Sequence, residues 1–202
     1  MPDTVGWLQH DAAAGGTPGV SSLAATASSR LRPGRALVPV SGDAADALWL
    51  AGRGWQVTAV SADVVTVSRI AAQAALFNAP VEAITADLLD YRPEPAGYRL
   101  ILVGDLELAW PQLRRLLTRL VPGLAPDGHL AVLGPDTRNL EVGFGGPANP
   151  ELLTSSDQLV DLLTGLELQV IRSEVVRRES AADGGHRYWL DHLIEAVRPI
   201  EL

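Results

Sequence analysis

Two carboxylates, Asp105 and Glu107, stand just beyond the apolar run Leu100 to Val103. Side chains so closely spaced at a strand end could act as a general base or hold a cation; a solvated loop is the alternative. His186, Asp191 and His192 raise a metal reading, yet their spacing matches no recognised ligand set and His186 adjoins a turn. Gly143, Gly145 and Gly146 could cradle an anion with backbone N–H groups, or could simply bend a loop together with Pro147 and Pro150. Three short polar turns, Val40 to Asp46, Ser61 to Asp63 and Asp87-Leu88, each follow an apolar run. Among the aromatic residues, Trp110 is placed to line a pocket, while Trp49 and Trp55 read as packing residues. His10 and His129 have no evident partners in the sequence.

Composition removes several chemistries. The 202 residues contain no cysteine, which excludes disulfides, thiolate metal sites, iron–sulfur clusters and cysteine nucleophiles. All 16 basic residues are arginine, so Schiff-base chemistry and a P-loop lysine are excluded as well. A net charge of -8 repels polyanions, so nucleic acid is not an expected partner. No run approaches the roughly 18 apolar residues that span a bilayer, and Met1 to Val20 lacks the basic start of a secretory signal. The expectation is a cytoplasmic protein that is not bound to a membrane.

The elements that must position these residues follow from periodicity. Residues 1–34, rich in Ala, Gly and Ser, form an N-terminal arm or lid, and 35–202 form one domain. Ala36 to Val40 reads as a strand, followed by a turn and a helix with Ala44, Ala47, Leu48 and Ala51 at helical spacing. Gln56 to Val60 is a second strand ending at Ser61, and Asp63 opens a helix with Val67, Ile70, Ala71 and Ala74 on its inner face. Strands follow near Val81 to Ile84, Leu100 to Val103 and, after a turn at Pro126-Asp127-Gly128, His129 to Leu133. Pro111 starts a helix whose Leu113, Leu116, Leu117 and Leu120 face inward while Arg115 and Arg119 face out. Ser155 and Gln158 make a capping box for a helix that Gly165 ends. Leu166, Leu168 and Val170 alternate with Glu167 and Gln169, and a turn at Asp183-Gly184-Gly185 leads to a last strand at Tyr188 to Val197. Such alternation predicts an α/β fold with a mostly parallel sheet covered on both faces, closed by an antiparallel hairpin. Ligands then bind at the carboxyl ends of the strands.

Residues 35–51, an apolar strand containing Val38-Pro39 followed by Val40-Ser41-Gly42-Asp43-Ala44 and a helix, resemble the first motif of class I S-adenosylmethionine-dependent methyltransferases. The likeness is closest to the thiopurine and tellurite-resistance branch. Gly52-Arg53-Gly54-Trp55 and the Leu124 to Leu130 turn fit the same branch, and Asp136, Asn139 and Gly143 to Pro150 resemble a loop of its bacterial members. The resemblance, over residues 35 to 198, implies a Rossmann-like methyltransferase fold with a seven-stranded sheet and a C-terminal antiparallel hairpin. It implies methyl transfer to a small-molecule acceptor, with Val40, Ser41, Gly42, Ser61, Ala62, Asp87, Leu88 and Gly104 around S-adenosylmethionine. Asp105 and Glu107 would lie near the methyl donor and acceptor.

Departures fall on the cofactor positions. The first and third motif glycines are Val40 and Ala44, and the carboxylate that holds the ribose hydroxyls is Ser61. Charge-assisted bonds are worth about 1.5–3 kcal/mol each, so losing that carboxylate costs roughly ten- to a thousandfold in affinity. Asp63, two residues on, is a candidate substitute. The pattern predicts a partly eroded site with cofactor binding weakened or lost. Two alternatives stay open: a non-catalytic binding or regulatory protein, acting as a homodimer or on a protein partner, and a cleft that catalyses a rearrangement or cyclisation. Ser61 as the cap of the following helix, with Asp43 or Asp46 as a first-turn charge, is the purely structural account.

Overall fold

The computed structural model describes residues 6–7, 22–42, 44–104, 106–142, 149–180 and 187–200. Asp43, Asp105, Gly143, Gly145, Gly146, Pro147, His186, His10 and the Asp183-Gly184-Gly185 turn lie outside the described residues.

Eight strands form one sheet: β1 (Gly6–Trp7), β2 (Arg35–Pro39), β3 (Gln56–Ser61), β4 (Val81–Thr85), β5 (Tyr98–Gly104), β6 (Leu124–Pro135), β7 (Gln169–Ser180) and β8 (Arg187–Val197). Their order is β1-β7-β8-β6-β5-β2-β3-β4. Every pairing is parallel except the two made by β8, which runs against β6 and β7 as the expected hairpin. The seven expected strands are present, and the two-residue β1 adds an eighth at the β7 edge.

The helices cover both faces because the strands are apolar on both. Against one face lie α1 (Ser22–Ser28), α2 (Ala45–Ala51) and α3 (Val64–Phe77), burying Leu23, Leu50 and Ile70 over Val38, Leu102 and Leu193. Against the other lie α4 (Trp110–Leu120) and α6 (Ser156–Gly165), burying Leu116, Leu117 and Leu163 over Ile101, Val132 and Ile194. A short α5 (Asn139–Val142) follows β6. Each fully buried Leu or Ile adds about 1.5–3 kcal/mol of transfer free energy, so these two layers dominate the stability of the fold. The four leucines of α4 face inward as expected, and Ser155 and Gln158 form the capping box of α6.

Three local expectations change. Pro126-Asp127-Gly128 does not precede a strand but sits as an irregularity inside β6, with Asp127 at φ 59°. Leu166 to Leu168 is the end of the α6 turn, with Glu167 at φ 63°, so β7 begins only at Gln169. On α3, Thr66 is buried and Ala71 is exposed; the Thr66 hydroxyl bonds the Asp63 carboxylate at 2.7 Å, which satisfies its polar atom there.

Candidate functional site

The chain runs outward from β2 through β3 to β4 on one side and from β5 to β6 on the other, so the topological switch point lies between β2 and β5. Just past their carboxyl ends are Val40 and, closing β5, Gly104. The Val40 N–H donates to the Val60 carbonyl at 2.7 Å, extending the parallel ladder one residue beyond β2. This fixes the valine, whose side chain is only 3% exposed; Ala44 is 4% exposed. From above comes Leu23 of α1, fully buried, whose Cδ2 would lie 2.9 Å from a Cβ placed on Gly104. The hollow left between Val40, Ala44, Leu102 and Gly104 has a volume of about 60 Å³. Small-molecule sites usually measure about 300–1,000 Å³.

The rim is occupied by structural hydrogen bonds. Ser41 and Gly42 are exposed; Gly42 takes φ 86°, and its carbonyl accepts a bond from the Arg69 guanidinium of α3. The positive φ explains why glycine survives at this one motif position. Ser61 is buried and its Oγ accepts the Asp63 N–H at 3.3 Å. It does not cap α3: that role belongs to Asp63, whose two oxygens accept the Val65 and Thr66 N–H groups at 3.1 Å each. The Thr66 hydroxyl and these N–H groups hold the Asp63 carboxyl below its ordinary pKa. Asp63 is therefore engaged by the N-terminus of α3. Ala62 is exposed. Asp87 is exposed at the end of β4, its Oδ1 accepting the Leu89 N–H at 2.8 Å, and Leu88 packs partly buried against the second core layer with Leu106, Leu108 and Trp110. Asp46 falls in the first turn of α2.

Glu107 is exposed beyond β5. The metal reading of Asp191 and His192 meets a geometric obstacle: they are adjacent in β8, so their side chains project to opposite faces of the sheet. Among the described residues, no group of His, Cys, Asp and Glu could hold a metal ion. His192 lies on the α6 side beside Gly134, 1% exposed. Burial pushes its pKa down to about 4 despite the opposing pull of Asp136 and the Thr154 backbone, which favours the neutral imidazole.

Asp136 and Asn139 pin the segment after β6. Asp136 accepts from the Ser156 hydroxyl at 2.8 Å and the Arg138 N–H at 2.9 Å. Asn139 accepts the Leu190 N–H at 2.7 Å and donates back to the Leu190 carbonyl.

Two contributors escape the sequence reading. Leu23 is a lone large apolar residue in a stretch of Ala and Ser, and Ala24 and Ala27 beside it, also buried, are the only helical signal. Arg69 reaches Gly42 across 27 positions, a contact no local pattern announces.

Neither the protein-family models nor the curated proteins yield a match to this sequence. Solved structures do. TehB from Haemophilus influenzae superposes with a TM-score of 0.75 at 11% identity, over 90% of this chain and 63% of that one. The 1,6-didemethyltoxoflavin N1-methyltransferase of Burkholderia thailandensis, solved with its substrate and S-adenosylhomocysteine, matches with a TM-score of 0.66 at 19% identity over 88% and 77% of the two chains. The 4+2 cyclase SpnF matches with a TM-score of 0.68 at 17% identity over 89% and 80%. The chain has the fold of the class I S-adenosylmethionine-dependent methyltransferases. No helix among the described residues is long and apolar enough to cross a membrane.

Proposed function

We propose that this chain is a methyltransferase-like protein whose donor site is eroded and which works as a non-catalytic binding module. One observation carries the reading. Where the resemblance places the methyl donor, Val40, Ala44, Leu102 and Gly104 border a hollow of about 60 Å³, well below the roughly 300–1,000 Å³ of small-molecule sites. The residues do not fit S-adenosylmethionine there: a branched side chain replaces the first glycine, and the neutral Ser61 hydroxyl is turned to the Asp63 N–H. A cyclisation like the one named for SpnF also needs a substrate-sized hollow, and the same filling argues against it.

Methyl transfer to a small-molecule acceptor is the second reading. It is favoured by Asp87 and Leu88, which keep the adenine-side segment at the end of β4 beside the apolar Leu106 and Trp110. Titration calorimetry with S-adenosylhomocysteine separates the two. The expected result is no heat at millimolar ligand for the native chain and measurable binding by the Val40→Gly, Ala44→Gly, Ser61→Asp variant. Micromolar binding by the native chain overturns the proposal in favour of the methyltransferase.

A further inference from the structure

A second concavity lies away from the strand ends. Along the outer face of α4 runs a groove of about 690 Å³, walled by Arg92, Arg114, Arg115 and Arg119. It shares no lining residue with the hollow at the switch point. In a chain of net charge -8, a quarter of all arginines converge on this one surface.

The charges there are incompletely balanced. Arg115 donates to the Asp90 carboxylate and, at 3.0 Å, to the Leu89 carbonyl; Arg119 lies 3.6 Å from the same carboxylate. Glu94, close by in sequence, is turned to Arg35 at 2.6 Å. Arg92 and Arg114 have no carboxylate partner among the described residues. Four guanidiniums thus face one acidic side chain.

Shape selects among anions. A compact phosphate needs donors converging on one point, whereas these guanidiniums are strung along a helix and a facing loop. Pro111 and Pro122, both lining the groove, are separated along the helical stretch by about 16 Å at 1.5 Å of rise per residue. That is the length of about five extended residues at 3.3 Å each. Arg115 and Arg119, four positions apart and so on one face of α4, are separated by about 6 Å of helix rise, close to the roughly 6.6 Å between alternate side chains of an extended strand. Proline rings supply rigid apolar walls, and the guanidinium fork matches a carboxylate with two parallel bonds.

We infer that the α4 groove docks an extended acidic peptide segment of a partner protein, with carboxylates on alternate residues. It rests on none of the donor-site argument and stands or falls separately from it.

Fluorescence anisotropy with a labelled Glu-Ala-Glu-Ala-Glu peptide and the full chain tests this. The peptide binds at low ionic strength, weakens as salt rises, and loses about tenfold or more in affinity for the Arg92→Glu, Arg114→Glu variant, in which two surface ion pairs become repulsive. Both side chains are exposed, and an unchanged thermal midpoint verifies that the variant is folded. A Lys-Ala-Lys-Ala-Lys peptide does not bind. Failure of the acidic peptide to bind at low salt, or equal affinity in the charge-reversed variant, overturns the inference. So does displacement of the peptide by an equal concentration of pyrophosphate or of a short RNA, which would assign the groove to phosphate.

Discussion

At the carboxyl ends of β2 and β5, where open parallel sheets hold their ligands, the chain leaves about 60 Å³; along the flank of α4 it leaves about 690 Å³. The first region is small and lies beneath Leu23 of α1. The second is open, cationic and lined by side chains that no core contact requires. Topology dictates where a site of this fold can be, but the side chains decide whether space remains there. In the proposed reading, Val40 and Ala44 at the two glycine positions, together with Leu23 above Gly104, leave too little space for the donor. Nothing in the strand order changes.

The contrast can be broken most severely at Leu23. Leu23→Ala removes a fully buried side chain and lowers the unfolding free energy by about 3 kcal/mol, measured by urea denaturation. A loss below about 0.5 kcal/mol, typical of surface positions, would mean that α1 does not seal the strand ends.

His192 reports on burial on the opposite, α6-covered face of the sheet. Its folded pKa of about 4 lies below the ordinary histidine value of about 6.5, so the unfolded chain takes up the proton first. The contribution is fully present above pH 6.5 and is lost as pH falls toward 4, reaching about 3 kcal/mol at most. Urea denaturation at pH 7 and pH 4.5, compared with a His192→Gln variant, isolates it. Equal slopes in the two proteins would contradict the burial of the imidazole on this face.

A smaller effect is expected at Gly104. Gly104→Ala crowds the flexible end of Leu23 and costs about 1 kcal/mol. In a Leu23→Ala background the same change becomes nearly neutral, a coupling that a double-mutant cycle measures. The smallest change belongs to the other region: Arg92→Glu with Arg114→Glu leaves the thermal midpoint where it was, because both residues are exposed and neither forms an ion pair among the described residues.

Much of this architecture was legible from period and punctuation. The α4 leucines, Asp63 ahead of α3 and the Ser155–Gln158 box were each determined by neighbours within four residues, and the motif order around Val40 pointed to the sheet topology. What local pattern could not supply was the third dimension. Glu167 begins no strand because the α6 turn takes it to positive φ. Asp63 looked available as a replacement carboxylate, yet both its oxygens serve the helix terminus. The sequence suggested erosion at Val40, Ala44 and Ser61 but gave no sign that Leu23 would fill the space above them. Arg92 joins the arginines of α4 only through folding, so local pattern showed Arg115 and Arg119 facing out but not the groove.

The closure of the strand ends is tested most directly by a crystal structure of the native chain grown with millimolar S-adenosylhomocysteine. The account predicts Leu23 over Gly104, a buried Val40 and no ligand density between β2 and β5. An adenosine seated beside Asp87 and Leu88, with α1 displaced from Gly104, would contradict it.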